Sequence, residues 1–413
     1  MISRTLRVCL ALAVLLCLPL LTPTVEAQQD NQGFLYGRVV TNSGTEYVGF
    51  LRWGSQESSW DDLFNSVKRD LPFYQYLNRG EADRSRGRGT RVRVFDREMR
   101  VDRRRPSARQ FISRFGDIAS IEPRRRGSTN VVMRNGSEYE VSGGSSDVSD
   151  AIRVADAALG EIDLRWDRIE RIDFMAAPRG EDRGVLRLYG TVETREGDFE
   201  GFIQWDQDET LGTDRLDGDT EDGDVAIRMG SIRSIERLSR RASMVTLNDG
   251  RELRLVGSND VNEENRGIMV EDERFGRVTV HWQSFEQITF SQPESSGRGF
   301  ADYAPLGDLD GTVVDKDGQR YSGRIVFDMD ESEGWEMLNG NFNGIEFNIP
   351  LARVASVEPI RGGATRVVLV NGETLTLGDT HDVGENNSGA LVFVGREPIH
   401  IAWRNIDRIE FNH

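Results

Sequence analysis

An all-β fold is predicted by three observations: one motif is written three times, glycine holds fixed turn positions in it, and apolar residues alternate instead of recurring at helical spacing. The motif reads "YGRVVTNSGTEYVGFLRWGSQE" from Tyr36, "YGTVETREGDFEGFIQWDQDE" from Tyr189 and "DGTVVDKDGQRYSGRIVFDMDE" from Asp310. The match continues through "IASIEP", "IRSIER" and "VASVEP", then "VVMRNGSEYEV", "VTLNDGRELRL" and "VVLVNGETLTL". Each copy next carries an Asp-Val pair, Asp147-Val148, Asp260-Val261 or Asp382-Val383, and closes on "IDLRWDRIERIDF", "VTVHWQSFEQITF" or "IHIAWRNIDRIEF". Agreement over so many separated positions indicates triplication.

The opening motif is a hairpin. Gly44, Gly197 and Gly318 stand between two alternating segments, where a tight turn needs positive φ. Gly49, Gly201 and Gly323 fall inside the second strand, where glycine weakens pairing unless the strand bends or another backbone comes close. Alternation places Leu51 and Trp53, Ile203 and Trp205, and Ile325 and Phe327 in the core. Phe202 and Gln204 lie on the opposite, variable face, expected to meet solvent. The closing segments read as a strand, one tight helical turn and another strand. Glu57, Glu209 and Glu331 recur after the core aromatic, as do Glu122, Glu236 and Glu358; these are read as carboxylates bonding to backbone at corners of the fold.

Residues 28–175, 183–292 and 305–413 are the three units, with short linkers at 176–182 and 293–304. Unit 1 is longer by a basic insert at about 66–110, which includes "RVRVF", where Arg91 and Arg93 alternate with Val92 and Val94. Units two and three do without it, so its removal is expected to leave the fold intact, and the linker-joined units are expected to melt independently.

The series Gly190, Val192, Gly197, Gly201, Ile203, Trp205 and Asp206 resembles SH3-like and Sm-like small β-barrels. The resemblance implies that each unit holds a pair of such barrels. It does not carry RNA binding, because the second Sm signature is absent. A six-bladed propeller and β-sandwiches are the architectural alternatives.

Residues 1–27 read as a signal peptide: Arg4 and Arg7, an apolar run from Val8 to Leu21, then Val25-Glu26-Ala27. Both cysteines, Cys9 and Cys17, lie in that segment, so disulfides are not expected to hold the exported fold. No later run suits a spanning helix. A net charge of −17 argues against nucleic acid as partner, and Lys68 and Lys316 are the only lysines.

Chemistry is sparse. The histidines His281, His381, His400 and His413 show no metal-ligand spacing and read as surface residues. Among carboxylates, Asp217, Asp219, Asp222 and Asp224 gather in one acidic loop as candidates for Ca²⁺, although a solvated loop fits their spacing better than an EF-hand does. Arg91, Arg93, Arg103, Arg104 and Arg105 are candidate contacts for an anionic partner, such as an envelope polymer or acidic protein. No catalytic residue and no cofactor is assigned. The expectation is an exported periplasmic or extracellular protein that binds or scaffolds envelope or carbohydrate ligands; the alternative is a secreted hydrolase with a carboxylate-based site.

Overall fold

The computed structural model describes residues 31–413 apart from 55, 78–91, 95–96, 100–108, 125–126, 143–146, 181–182 and 396. The segment 1–27, with Cys9 and Cys17, lies outside them. The chain is all-β, its antiparallel strands joined by tight turns and single 3-10 turns. No helix among the described residues is long and apolar enough to cross a membrane.

Each unit is built alike. In unit 2 the opening hairpin pairs Tyr189–Thr194 with Gly197–Gln204. The closing strand Phe285–Phe290 pairs with Tyr189–Thr194 on one side and Ile232–Ser239 on the other. That double pairing decides the architecture. A pair of separate small barrels needs each half to close on itself, but here the last strand uses both edges and fuses the halves into one open ladder. The same holds for Ile169–Phe174 in unit 1 and Ile406–Phe411 in unit 3. None of the sheets closes into a barrel; the ladders are open, with ten, ten and eight strands.

The glycine readings have a geometric basis. Gly44, Gly197 and Gly318 have φ of 81°, 135° and 81°. The strand glycines sit directly opposite other glycines, as Gly37 with Gly49, Gly190 with Gly201 and Gly311 with Gly323. A Cβ on Gly201 would lie 1.9 Å from the Glu271 carbonyl oxygen, and one on Gly49 would lie 1.9 Å from that of Ala155. Glycine therefore admits the flanking strand at this crossing. Leu51, Trp53, Ile203, Trp205, Ile325 and Phe327 are all buried, as expected. Phe202 departs from expectation: it is half-buried, with the Arg187 guanidinium 3.8 Å from its ring centroid.

Every unit carries a second hairpin after its opening one: Leu63–Lys68 with Arg109–Arg114, Arg215–Thr220 with Gly223–Arg228, and Met337–Phe342 with Ile345–Pro350. Units 2 and 3 join these strands by two residues, whereas unit 1 places its basic insert there. Lys68 and Arg109, inside the expected bounds of the insert, are thus paired strand residues and buried.

The units also interlock, contrary to the expectation of independent melting. The unit 3 strand Ile345–Pro350 extends the unit 2 sheet by pairing with Gly276–Val280. Trp335 of unit 3 packs with its ring centroid 5.3 Å from those of both Phe111 and Tyr139 of unit 1, tilted against the first and edge-on to the second. Units 1 and 2 share buried ion pairs, Arg187 to Asp61 at 2.6 Å and Arg277 to Asp62 at 3.3 Å.

Candidate functional site

The strand ending in Trp53, Trp205 or Phe327 runs into a tight turn that returns the chain to the same backbone. Trp53 N–H donates to the Glu57 carbonyl at 2.8 Å, Trp205 N–H to Glu209 at 2.8 Å and Phe327 N–H to Glu331 at 2.7 Å. The turn needs left-handed residues, supplied by Gly54, by Asp206 and Gln207, and by Asp328 and Met329. The repeated Glu therefore bonds to the strand through its backbone, as a corner residue should. Its side chain is the surprise. One carboxylate oxygen, Oε2, of Glu57, Glu209 and Glu331 is buried without a hydrogen-bond partner in all three units.

The companion is the Asp of the repeated Asp-Val pair, buried in each unit. Asp260 Oδ2 accepts from the backbone N–H of Asp217 at 2.6 Å, and Asp382 Oδ2 accepts from that of Asn339 at 2.7 Å. Asp147 Oδ2 accepts from Asn65 in the same way. Each Asp thus anchors the second hairpin. Its own carbonyl takes the indole N–H in two units, Trp53 Nε1 to Asp147 at 2.8 Å and Trp205 Nε1 to Asp260 at 3.0 Å. Phe327 has no such donor, and Asn387 Nδ2 donates to the Asp382 carbonyl at 2.6 Å instead.

Two carboxyl groups buried side by side cannot both ionise cheaply. Burial, and then the neighbouring Asp260, pushes Glu209 up to about 9. Burial pushes Asp260 up to about 6, and Asp147 and Asp382 each up to about 7. Glu57 is held well above the usual range by burial and then by Asp147 and Asp62, and Glu331 by burial and then by Asp330 and Asp382. Glu209, at about 9, stores a proton at neutral pH, and burial pushes Glu57 and Glu331 in the same direction.

In unit 3 the pair is part of a larger charged cluster fed from unit 1. Lys68 Nζ donates to Glu336 Oε1 at 2.7 Å and to Asp330 Oδ2 at 3.2 Å. Arg109 Nη1 donates to Asp328 Oδ2 at 2.8 Å, and its Nε to the Tyr74 hydroxyl at 2.6 Å. The His381 imidazole lies 2.5 Å from Asp328 through Nδ1, so His381 is a cluster residue and not a surface one. Burial opposes the His381 cation, but Asp328 outweighs it and holds the imidazole above its ordinary value. Carboxylate oxygens of Asp328, Asp330 and Glu331 lie within 4.8 Å of one another, as do ligand atoms of Asp328, His381 and Asp382. The cations they meet are the ammonium of Lys68 and the guanidinium of Arg109.

The other candidates are scattered. Asp217 and Asp219 lie on Arg215–Thr220, with Asp224 opposite Asp219, and these three line an open cavity of about 350 Å³ together with Gly257 and Ser258; Asp222, in the turn, does not line it. Arg93 is in the short strand Val92–Val94, paired with Arg97–Met99. Arg91, Arg103, Arg104 and Arg105 lie outside the described residues. His281 lies 2.7 Å from Glu346, His400 Nε2 2.8 Å from the Ser388 carbonyl, and His413 Nε2 2.7 Å from that of Val354. Glu122 pairs with Arg171 at 2.7 Å and Glu358 with Arg366 at 2.8 Å.

No family model, curated protein or solved structure matches the chain.

Proposed function

We propose that this chain is an exported, non-enzymatic binding or scaffolding protein, displaying envelope-facing or carbohydrate-facing surfaces from three interlocked β units. The observation that supports this reading is the inward placement of the repeated chemistry. The repeated Asp carboxylates hold hairpins, the repeated Glu residues serve turns through their backbone, and Glu57, Glu331, Asp147 and Asp382 are buried in the protein. A hydrolase needs such a pair at the wall of a cleft that admits substrate. Meanwhile buried ion pairs and a shared sheet tie the units into one body, which suits presentation of a fixed outer surface.

The test is co-sedimentation of the full chain with insoluble peptidoglycan and with chitin, assaying the supernatant for reducing ends. Saturable pelleting without release of sugar is expected. Absence of pelleting with both polymers would remove the envelope and carbohydrate reading. Release of reducing ends that disappears in Glu209→Gln would establish the hydrolase instead.

A further inference from the structure

We propose that the edge strand of unit 1, Gly160–Leu164, is a docking site for the arginine ribbon of a second copy of this chain. The precedent lies within the molecule. In unit 2 the equivalent strand, Gly276–Val280, accepts the unit 3 strand Ile345–Pro350, with Arg277 opposite Asn348, Val278 opposite Phe347 and Thr279 opposite Glu346. Phe347 fills an apolar notch there, its ring centroid 6.1 Å from Phe199 and 5.8 Å from Phe275.

Among the described residues, unit 1 repeats this notch without the plug. The residues matching Phe199, Phe275 and Val278 are Tyr47, Leu159 and Ile162. Tyr47 and Ile162 are half-buried, and Leu159 is 67% exposed, among the large apolar residues the fold leaves in water. Among the described strands, Gly160–Leu164 pairs only with Ile152–Asp156, so its outer backbone edge has no ladder. The matching edge of unit 3 is blunted by Pro398, which has no N–H to give.

Charge selects the occupant. The edge reads Glu161-Ile162-Asp163, and its two carboxylates are 68% and 62% exposed and share one cation, Arg153. A complementary strand carries base, apolar residue and base at three successive positions. The insert supplies that pattern as Arg91-Val92-Arg93, at the strand Val92–Val94. In the unit 2 register, Arg91 would face Asp163, Val92 would face Ile162 and Arg93 would face Glu161. Strand addition gives main-chain hydrogen bonds, and the alternate side chains give specificity. The insert leaves the ten-stranded ladder at the end opposite Gly160–Leu164, which favours a ribbon from another molecule, docked head to tail. This inference stands apart from the envelope-ligand reading and survives if no polymer binds.

Sedimentation velocity of the full chain over a range of concentration tests it. Association at low salt that weakens at high salt is expected, since exposed charges are screened. Reversing the edge (Glu161→Arg with Asp163→Arg) or the ribbon (Arg91→Glu with Arg93→Glu) should each weaken association by at least about tenfold. Mixing the two reversed proteins should restore it. A wild-type chain that stays monomeric, association indifferent to either reversal, or failure of the mixture to assemble would each overturn the proposal.

Discussion

Lys68 and Arg109 face each other across one antiparallel ladder, and both place their cations against Asp330 of another unit, at 3.2 Å and 3.4 Å. The two strands that bound the insert thus end in a buried double cation that locks unit 1 onto unit 3. Removing one partner of a buried pair leaves the other charge uncompensated, which costs about 3–5 kcal/mol. Arg109→Met, which leaves Asp328 to His381 alone and takes one cation from Asp330, is expected to lower stability by up to that amount in urea unfolding monitored by tryptophan fluorescence. A change under about 1 kcal/mol would show that the lock is dispensable.

The same geometry redefines what can be cut from unit 1. Phe73, Tyr74 and Leu77 pack on Val326, Met329 and Leu391 of unit 3, so the start of the insert is a strap on that unit. Joining Leu77 to Arg109 with a short glycine-serine linker should keep one cooperative melt near the wild-type temperature. Deleting residues 70–109 removes the strap and the Arg109 half of the lock together and should lower the melting temperature strongly. Calorimetry on both chains would distinguish them, and equal melting of the two would refute the strap.

Stored protons make stability depend on pH. Burial pushes Glu209 up to about 9 in the folded chain, against an ordinary 4.5 when unfolded, so between these values the native state holds the extra proton. Its contribution is complete below about pH 4 and is lost as pH rises through 9, at up to about 1.4 kcal/mol per pH unit. Asp147 and Asp382, raised to about 7, act in the same direction over a lower window. Asp328 runs the other way: burial raises it, but Arg109 and His381 outweigh this and hold it low, so its share is lost in acid. Glu209→Gln should flatten the decline in urea midpoint between pH 5 and pH 9; an unchanged slope would mean that Glu209 is ionised throughout.

At the glycine crossing, a Cβ on Gly201 would meet Glu271 backbone at 1.9 Å, a contact that only strand displacement relieves. Gly201→Val should cost roughly 1–3 kcal/mol through strain and overpacking. Because the units interlock, the whole chain should melt earlier as one transition. Phe202→Thr is no longer the neutral control, since it removes a ring under Arg187, and a loss of about 1 kcal/mol is expected. Calorimetry showing unit 2 melting alone, ahead of an unshifted second transition, would contradict the interlocked body.

Much of the local structure was legible in the residues themselves. The turn and strand glycines, the buried Leu51, Trp53, Ile203 and Trp205, and the recurrence of Glu57, Glu209 and Glu331 all follow from short-range rules of sterics and alternation. The Glu signal was visible as repetition, and so was the Asp of each Asp-Val pair. Their being neighbours was not, because Glu209 and Asp260 meet only after the intervening strands fold between them. His381 had no sequence mark to separate it from His281 or His400, since a histidine becomes a cluster residue only when a carboxylate such as Asp328 is brought to its ring.

Sequence alone determined the repeated unit, since period-two alternation, positive-φ turns and glycine at close crossings act within a few residues. Tertiary structure alone decided how the units close and where charge is buried. Whether Ile169–Phe174, Phe285–Phe290 and Ile406–Phe411 end a barrel or bridge two half-sheets depends on which distant edge each one meets. Lys68 and Arg109 look like any solvated arginine-rich run until Asp328, Asp330 and Glu336 arrive from another unit, for a charge enters a protein interior only where its counter-charge is already in place.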